Sequence, residues 1–355
     1  MPKNLKVAAV QMMAEPASVE ERLRRAERLI AQAAQNGARL VVLPELFNTG
    51  YQYSDQNYQL AEPLDGQTAT WMRRLASQYG LHLAGAFLRR EQGEIYDTLL
   101  LVAPDQRFWI YDKLYPWMWE RAYFREGKGT TVADTDLGKI GLLICWDAAH
   151  PYLWQRYAGQ VELMLVSSCP PAVHDLTLLL PDGKQVRLDE LGSLMRRMRG
   201  AAQETFGAHL RRQSGCLKVP VVNTTGTGLF NSRFPSPLVS LMTFALTCPR
   251  LWKYVPQADR VRVEARYFNE TYVADAAGKV LQRVPAEKEG YALSEVALPP
   301  APPEPQGQQP AFGISRLNYL LDAFANWALA PVYRRRIKLL CKALRDGEIF
   351  FEEAL

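Results

Sequence analysis

The stretch KIGLLICWDAAHPYLWQRYA (Lys139–Ala158) decides the fold. Lys139–Ile144 is a short apolar run with the length of a core strand. Cys145-Trp146-Asp147 breaks it sharply, and a helix follows to about Ala158. A strand that ends in a tight turn and feeds a helix is the repeating step of a layered α/β protein.

The same alternation extends in both directions. Leu5–Met12 reads as a strand, and Ser18 with Glu21 forms the capping box of a helix whose apolar stripe is Leu23, Ala26, Ile30 and Ala33. Asn36-Gly37 closes that helix. Arg39–Leu43 is a buried-type strand cut by Pro44, and Thr68–Tyr79 is a helix stopped by Gly80. Leu81–Leu88, Ile95–Ala103 and Arg107–Asp112 are three further strands, with Glu162–Ser167 and Pro220–Asn223 added downstream. The fold class is therefore α/β.

Three stretches leave this rhythm. Pro170 to about Arg187 reads as a loop-like insertion. FPSPLVSLMTFALTCP (Phe234–Pro249), within an apolar insertion at about 231–256, carries no charge but is proline-broken and shorter than the ~20 residues of a bilayer span. LPPAPPEPQGQQP (Leu298–Pro310) reads as extended linker. These features divide the chain into a domain at 1–298, a linker at 299–312 and a helical extension at 313–355, in which Pro331 is expected to break the helix.

Composition narrows the class. The 355 residues are 48% hydrophobic, 22% charged and 10% aromatic, which excludes a disordered, collagen-like or disulfide-scaffold protein. None of the five cysteines forms a C-x2-C pair, so no zinc-ligand spacing exists. No signal-peptide pattern opens the chain, and a reducing cytoplasm is the expected compartment. The net charge of +5 is too mild to argue for nucleic acid.

Three segments each place one reactive residue at a strand end: Glu45 in LPELF, Lys113 in YDKL and Cys145 in GLLICWD. Side chains from several strands converge at such ends. A thiolate is a strong nucleophile, and a nearby ammonium is expected to lower the cysteine pKa from ~8.5 toward neutrality. Lys113 also suits the oxyanion formed when sulphur attacks a carbonyl or nitrile carbon. Glu45 can take the thiol proton, pass it to the leaving nitrogen and later activate water on the thioester. His150 is expected to point away from Cys145, and Asp147 to bond nearby backbone. Tyr115, Trp117, Trp119, Tyr123 and Phe124 serve as core, pocket wall or both. Tyr51, Trp117, Trp146 and Cys169 are the candidates for substrate contact, with Pro170 and Pro171 at the rim.

In the contexts LPELFNTGY, YDKLYPWMWERAYFREG and GLLICWDAAHP, the order Glu, Lys, Cys resembles the nitrilase superfamily of carbon–nitrogen hydrolases. The resemblance runs from about Lys6 to Leu298 and takes in VAAVQM, the hairpin DTLLLVAPDQRFWIYDK and the late strands ETYVADAAGKVLQRV. It implies an α-β-β-α sandwich, a Glu45–Lys113–Cys145 triad, no metal or other cofactor, and a small-molecule amide as substrate. It also implies Glu120 as a second glutamate that orients the lysine, and dimerisation through the layer beside the cysteine. The reaction implied is hydrolysis of a carboxamide-type C–N bond. Nitrile cleavage is disfavoured because Asp, not Glu, follows Trp146. Acyl transfer to an amine and a catalytically silent binding protein are the other readings. Asp97 departs from the family, whose hairpin often has Asn there.

The tail beyond Pro310 has two readings. VYRRRIKLLCKALR (Val332–Arg345) holds six basic residues after the apolar ISRLNYLLDAFANWALA. It either packs on a neighbouring subunit of a homo-oligomer, or lies on the anionic inner face of a membrane with Ile337, Leu340, Cys341 and Leu344 beneath the headgroups.

Overall fold

The computed structural model describes residues 3–307 and 312–346; part of the linker and residues 347–355 of the extension lie outside the described residues. The first half of the chain runs β1 (Lys3–Met13), α1 (Val19–Gln35), β2 (Leu40–Val42), α2 (Gln56–Leu60), α3 (Gln67–Tyr79), β3 (His82–Glu91), β4 (Glu94–Val102), β5 (Phe108–Asp112), β6 (Val132–Thr135), β7 (Gly138–Ile144), α4 (Pro151–Tyr157) and β8 (Leu163–Ser167). The second half runs β9 (Thr177–Leu179), β10 (Gln185–Arg187), α5 (Ser193–Arg196), α6 (Leu210–Leu217), β11 (Val221–Thr224), β12 (Gly226–Thr227), β13 (Leu229–Arg233), α7 (Pro237–Thr247), β14 (Arg262–Arg266), β15 (Tyr272–Ala274), β16 (Val280–Arg283), β17 (Gly290–Leu298) and α8 (Arg316–Asp346).

Local chemistry sets the early elements. The Ser18 hydroxyl accepts from the Glu21 backbone N–H at 3.3 Å, starting α1, and Gly80 ends α3 in a left-handed conformation. One sheet has the order β12-β1-β2-β3-β4-β5, with β17 along the rest of the β1 edge; a second has the order β16-β15-β11-β8-β7-β6. Strand alternation sorts the side chains into layers. Val7, Ala9, Leu40, Val42, Ala84 and Ala86 face the second sheet, while Ala8, Val10, Val41, Leu43 and Leu83 pack beneath α1 and α3. On the far side, Trp154 of α4 and Leu210 of α6 cover the second sheet. This is an α-β-β-α sandwich.

Two expectations are corrected. The segment Pro170–Arg187 is not a loop: β9 and β10 pair within a third sheet of order β10-β9-β14-β13. Its strands are only three to five residues long, too short for alternation to show, and Leu178 and Val263 are buried between neighbours. Nor does Pro331 end the last helix, since α8 runs through it for 31 residues. Pro331 is exposed, whereas Asn318, Asp322, Leu329, Tyr333, Ile337 and Leu340 form one buried stripe against the rest of the chain. Packing along that stripe outweighs the missing N–H. Among the described residues no helix is long and apolar enough to cross a membrane.

Candidate active site

Glu45, Lys113 and Cys145 leave the ends of β2, β5 and β7, and the seam between the two large sheets brings them together. The Leu43 carbonyl accepts from the Ser167 hydroxyl at 2.9 Å and the Thr224 hydroxyl at 3.2 Å, tying the end of β2 to the facing sheet. Lys113 continues the ladder by donating its N–H to the Asp97 carbonyl, and Gly127 donates to the Lys113 carbonyl, both at 2.9 Å. Gly127 has to be glycine, because a Cβ there would stand 2.3 Å from the Asp112 carbonyl oxygen.

The Lys113 ammonium sits between two carboxylates, 2.6 Å from Glu45 Oε1 and 2.6 Å from Glu120 Oε2. All three side chains are buried. Glu120 lies on a single 3-10 turn (Met118–Ala122), where its Oε2 also accepts from the Trp117 N–H at 2.6 Å and its Oε1 from the Tyr51 hydroxyl. The backbone is strained beside Glu45, Glu120 and Cys145 alike. Leu46 (φ 49°), Met118 (φ 43°) and Cys145 (φ 45°) all adopt left-handed conformations. A non-glycine residue held there costs about 1–3 kcal/mol and persists only where its surroundings impose it.

Electrostatics departs from the expectation for the thiol. Burial pushes the Cys145 pKa well above normal and the Glu45 carboxylate adds to this, outweighing Lys113. This favours a resting thiol over a preformed thiolate, chiefly because the sulphur is buried and secondly because the Glu45 and Glu120 carboxylates offset the ammonium. Burial also works against the Lys113 charge, yet Glu120 and Glu45 hold its pKa well above the usual lysine range. A third carboxyl, Asp97, stands 3.7 Å from the ammonium and is fully buried beside Glu45. Burial first, and then the Glu45 charge, push its pKa well above the usual carboxylate range, toward the neutral acid.

The elbow is fastened from behind. Asp147 accepts from the Tyr111 hydroxyl and the Tyr115 N–H, both at 2.8 Å, and from the Ile144 N–H at 3.4 Å, the backbone role expected of it. His150 stacks on Tyr115 with ring centroids 3.7 Å apart, away from the pocket, and burial pushes its pKa down to about 3.

Cys145 opens on a cavity of about 30 Å3, continuous with about 360 Å3 of space that includes solvent at its mouth. Tyr51, Trp117 and Trp146 line it, as do the rim prolines 170 and 171. Cys169 does not. Its sulphur is buried against the bare backbone of Gly226, where a Cβ would stand 2.4 Å from it. Its backbone N–H instead weakly favours the Cys145 thiolate, the smallest of the influences on that thiol. Of the aromatic cluster, Trp117 forms pocket wall while Trp119, Tyr123 and Phe124 are core.

Two contributors are absent from the sequence reading. Ala201, Ala202 and Phe206 supply one pocket wall, beside a π-helical turn at Gln203–His209 that no periodicity announces. Asp322 of α8 accepts from the Met118 N–H at 2.7 Å and the Trp146 indole N–H at 3.1 Å. The extension thus packs on its own domain, against the turn that carries Glu120.

The family model for carbon–nitrogen hydrolases matches residues 6–301. A nitrilase of Pyrococcus abyssi is 31% identical over 151 residues, spanning 41% of this chain and 58% of the relative. An omega-amidase of Xenopus laevis is 30% identical over 174 residues, 45% and 62% of the two chains. The chain thus spans about three fifths of the length of these curated relatives. Among solved structures, an amidase from Nesterenkonia sp. AN1, caught after Michael addition of acrylamide at its active-site cysteine, has a TM-score of 0.59 at 17% identity, covering 81% of this chain and 92% of the other. The protein XC1258 of Xanthomonas campestris has a TM-score of 0.60 at 17% identity, covering 99% and 100%.

Proposed function

The chain belongs to the carbon–nitrogen hydrolase family, and from that membership we propose that it hydrolyses a non-peptide carboxamide through a thioester on Cys145. The observation that carries this reading is the buried Glu45–Lys113–Glu120 ion cluster beside a cysteine on a strained elbow. Glu45 takes the thiol proton as sulphur attacks the amide carbon, so no free thiolate has to form in the buried site. Lys113 faces the oxyanion. Collapse breaks the C–N bond, and Glu45 returns the proton to the departing nitrogen. Water then attacks the thioester with Glu45 as base, releasing the acid and restoring the thiol. Glu120 holds Lys113 in place.

The test is intact-mass measurement on wild type, Cys145→Ala and Glu45→Gln with an amide panel. Wild type should release ammonia, Cys145→Ala should release none, and Glu45→Gln, lacking the base for both steps, should lose most of its turnover without an acyl adduct building up at Cys145. Turnover by Cys145→Ala overturns the mechanism.

The same proposal extends to the surface. The hydrolase domain is taken as 1–298, with α8 as an extension docked on it. Ile337 and Leu340, expected beneath lipid headgroups, are instead buried within the molecule. The side chain of Leu344 lies outside the described residues. A different apolar face is exposed: Leu238, Met242 and Leu246 on α7 beside Leu320, Phe324 and Trp327 on α8, the two helices meeting across a cleft lined by Val239 and Leu321. Arg334, Arg335 and Lys338 are exposed farther along α8. Apolar area with adjacent cations suits an anionic membrane surface, where each cation contributes about 1 kcal/mol. Wild type should float with anionic vesicles at low salt, and Phe324→Ser with Trp327→Ser should not. A protein that ignores vesicles but sediments as more than a dimer would assign the face to subunit assembly.

A further inference from the structure

Resting on the hydrolase reading, we propose that the acyl half of the substrate is short, uncharged and aliphatic. The observation is the chemistry of the cavity wall. Trp117, Trp146, Pro170, Val173, Ala201 and Phe206 close it with carbon. The polar side-chain groups on these lining residues are the Cys145 thiol, the Tyr51 hydroxyl, which already donates to Glu120, and the indole N–H groups of Trp117 and Trp146, the latter held by Asp322; none of them carries a charge.

A carboxylate or ammonium on the acyl group would enter this space with no opposite charge among the lining residues to pair with. The basic residues nearest in sequence, Arg196, Arg197 and Arg199 on the segment leading to Ala201, are exposed, and Arg199 pairs with Asp189 at 3.5 Å. Burying an unpaired charge costs far more than a hydrophobic wall returns, so such a substrate is rejected at the first step. Size follows from the same cavity. The room inside the wall is small, about 30 Å3 of positions open to the centre of a water-sized sphere, which suits a small alkyl group and not a long chain. The wall is also fixed: the Phe206 carbonyl accepts from the Tyr272 hydroxyl at 2.8 Å, and the Trp146 indole is held by Asp322.

The experiment compares kcat/KM for propionamide, isobutyramide, hexanamide and the half-amide of succinic acid. The full-length protein is used, with ammonia release as readout and Cys145→Ala as blank. Propionamide and isobutyramide should exceed the succinic half-amide by roughly 100-fold or more. Hexanamide should fall below them, because the wall must open to admit it. Ala201→Lys, or Val173→Lys if the first variant is unstable, places an ammonium at the wall and should shrink the preference against the half-amide at least tenfold. Equal or faster turnover of the half-amide by wild type overturns the inference and leaves the hydrolase reading standing. No Cys145-dependent turnover of any amide overturns that reading, and this inference with it.

Discussion

Removing the Asp322 carboxylate should slow the reaction although this residue never touches the triad. In Asp322→Ala, the Met118 N–H and the Trp146 indole N–H both lose their acceptor. Each buried donor left unpaired costs about 1–3 kcal/mol. Against this, burial raises the Asp322 carboxyl from 3.8 to about 7. Removing it therefore relieves up to about 4 kcal/mol of strain in the ionised form. The two effects oppose, and unfolding free energy should change by less than about 2 kcal/mol. Catalysis has no such offset. Met118 is held left-handed at the head of the turn that keeps Glu120 at 2.6 Å from Lys113. Freed of its bond, the turn relaxes, and a displacement near 1 Å at a catalytic group costs about 100-fold. We expect kcat to fall by about 10- to 100-fold in initial-rate assays, while urea titration shows a folded protein. Asp322→Asn keeps one acceptor oxygen and should fall between variant and wild type. A kcat for Asp322→Ala within twofold of wild type would refute the reasoning.

Lys113→Ala should lower kcat by roughly 100- to 1000-fold, and combining it with Glu45→Gln should be no worse than about the poorer single variant, since the groups act as one unit; additive losses would place them in separate steps. Asp97→Asn reproduces the shape and donor of a neutral carboxyl and should keep kcat within roughly threefold, whereas Asp97→Ala should lose at least about tenfold; a large loss in Asp97→Asn would show that Asp97 works as an anion. Asp322 also carries a stability signature. Its folded pKa lies above its unfolded one, so the native state holds an extra proton between about pH 4 and 7 and stability falls as pH rises through that window. Urea midpoints should therefore shift in favour of Asp322→Asn by up to about 1.4 kcal/mol per pH unit across the window and level off above it; a pH-independent difference would place Asp322 in contact with water.

Much of this molecule was legible because strands and helices are local. The run from Lys139 to Ile144, the capping pair Ser18 and Glu21, and the stop at Gly80 need no knowledge of distant residues, and the elements formed close to those positions. That Glu45, Lys113 and Cys145 come together was legible for a related reason: each lies at or just past the end of its own strand, and a layered sheet leaves such positions at one end. What stayed hidden depends on distances between elements. Asp322 meets Trp146 across 176 residues of sequence, and no motif records that contact. The third sheet is built from segments too short to show a period. Pro331 reads locally as a helix breaker, yet a buried stripe on either side carries α8 past it. The thiol was misjudged for the same reason. Counting Lys113 alone predicts a lowered cysteine pKa. Counting the burial of the thiol and then the carboxylates of Glu45 and Glu120 that the fold sets around that lysine reverses the sign. A pKa follows from the net charge and burial of the whole cluster, so it becomes readable only once the strands that supply each group are in register. Asp97 stands where the resemblance leads one to expect asparagine, and burial with the neighbouring Glu45 pushes its carboxyl toward the neutral acid, which, like an amide, can donate. The same burial that keeps Cys145 protonated is therefore what allows an aspartate to stand in that position.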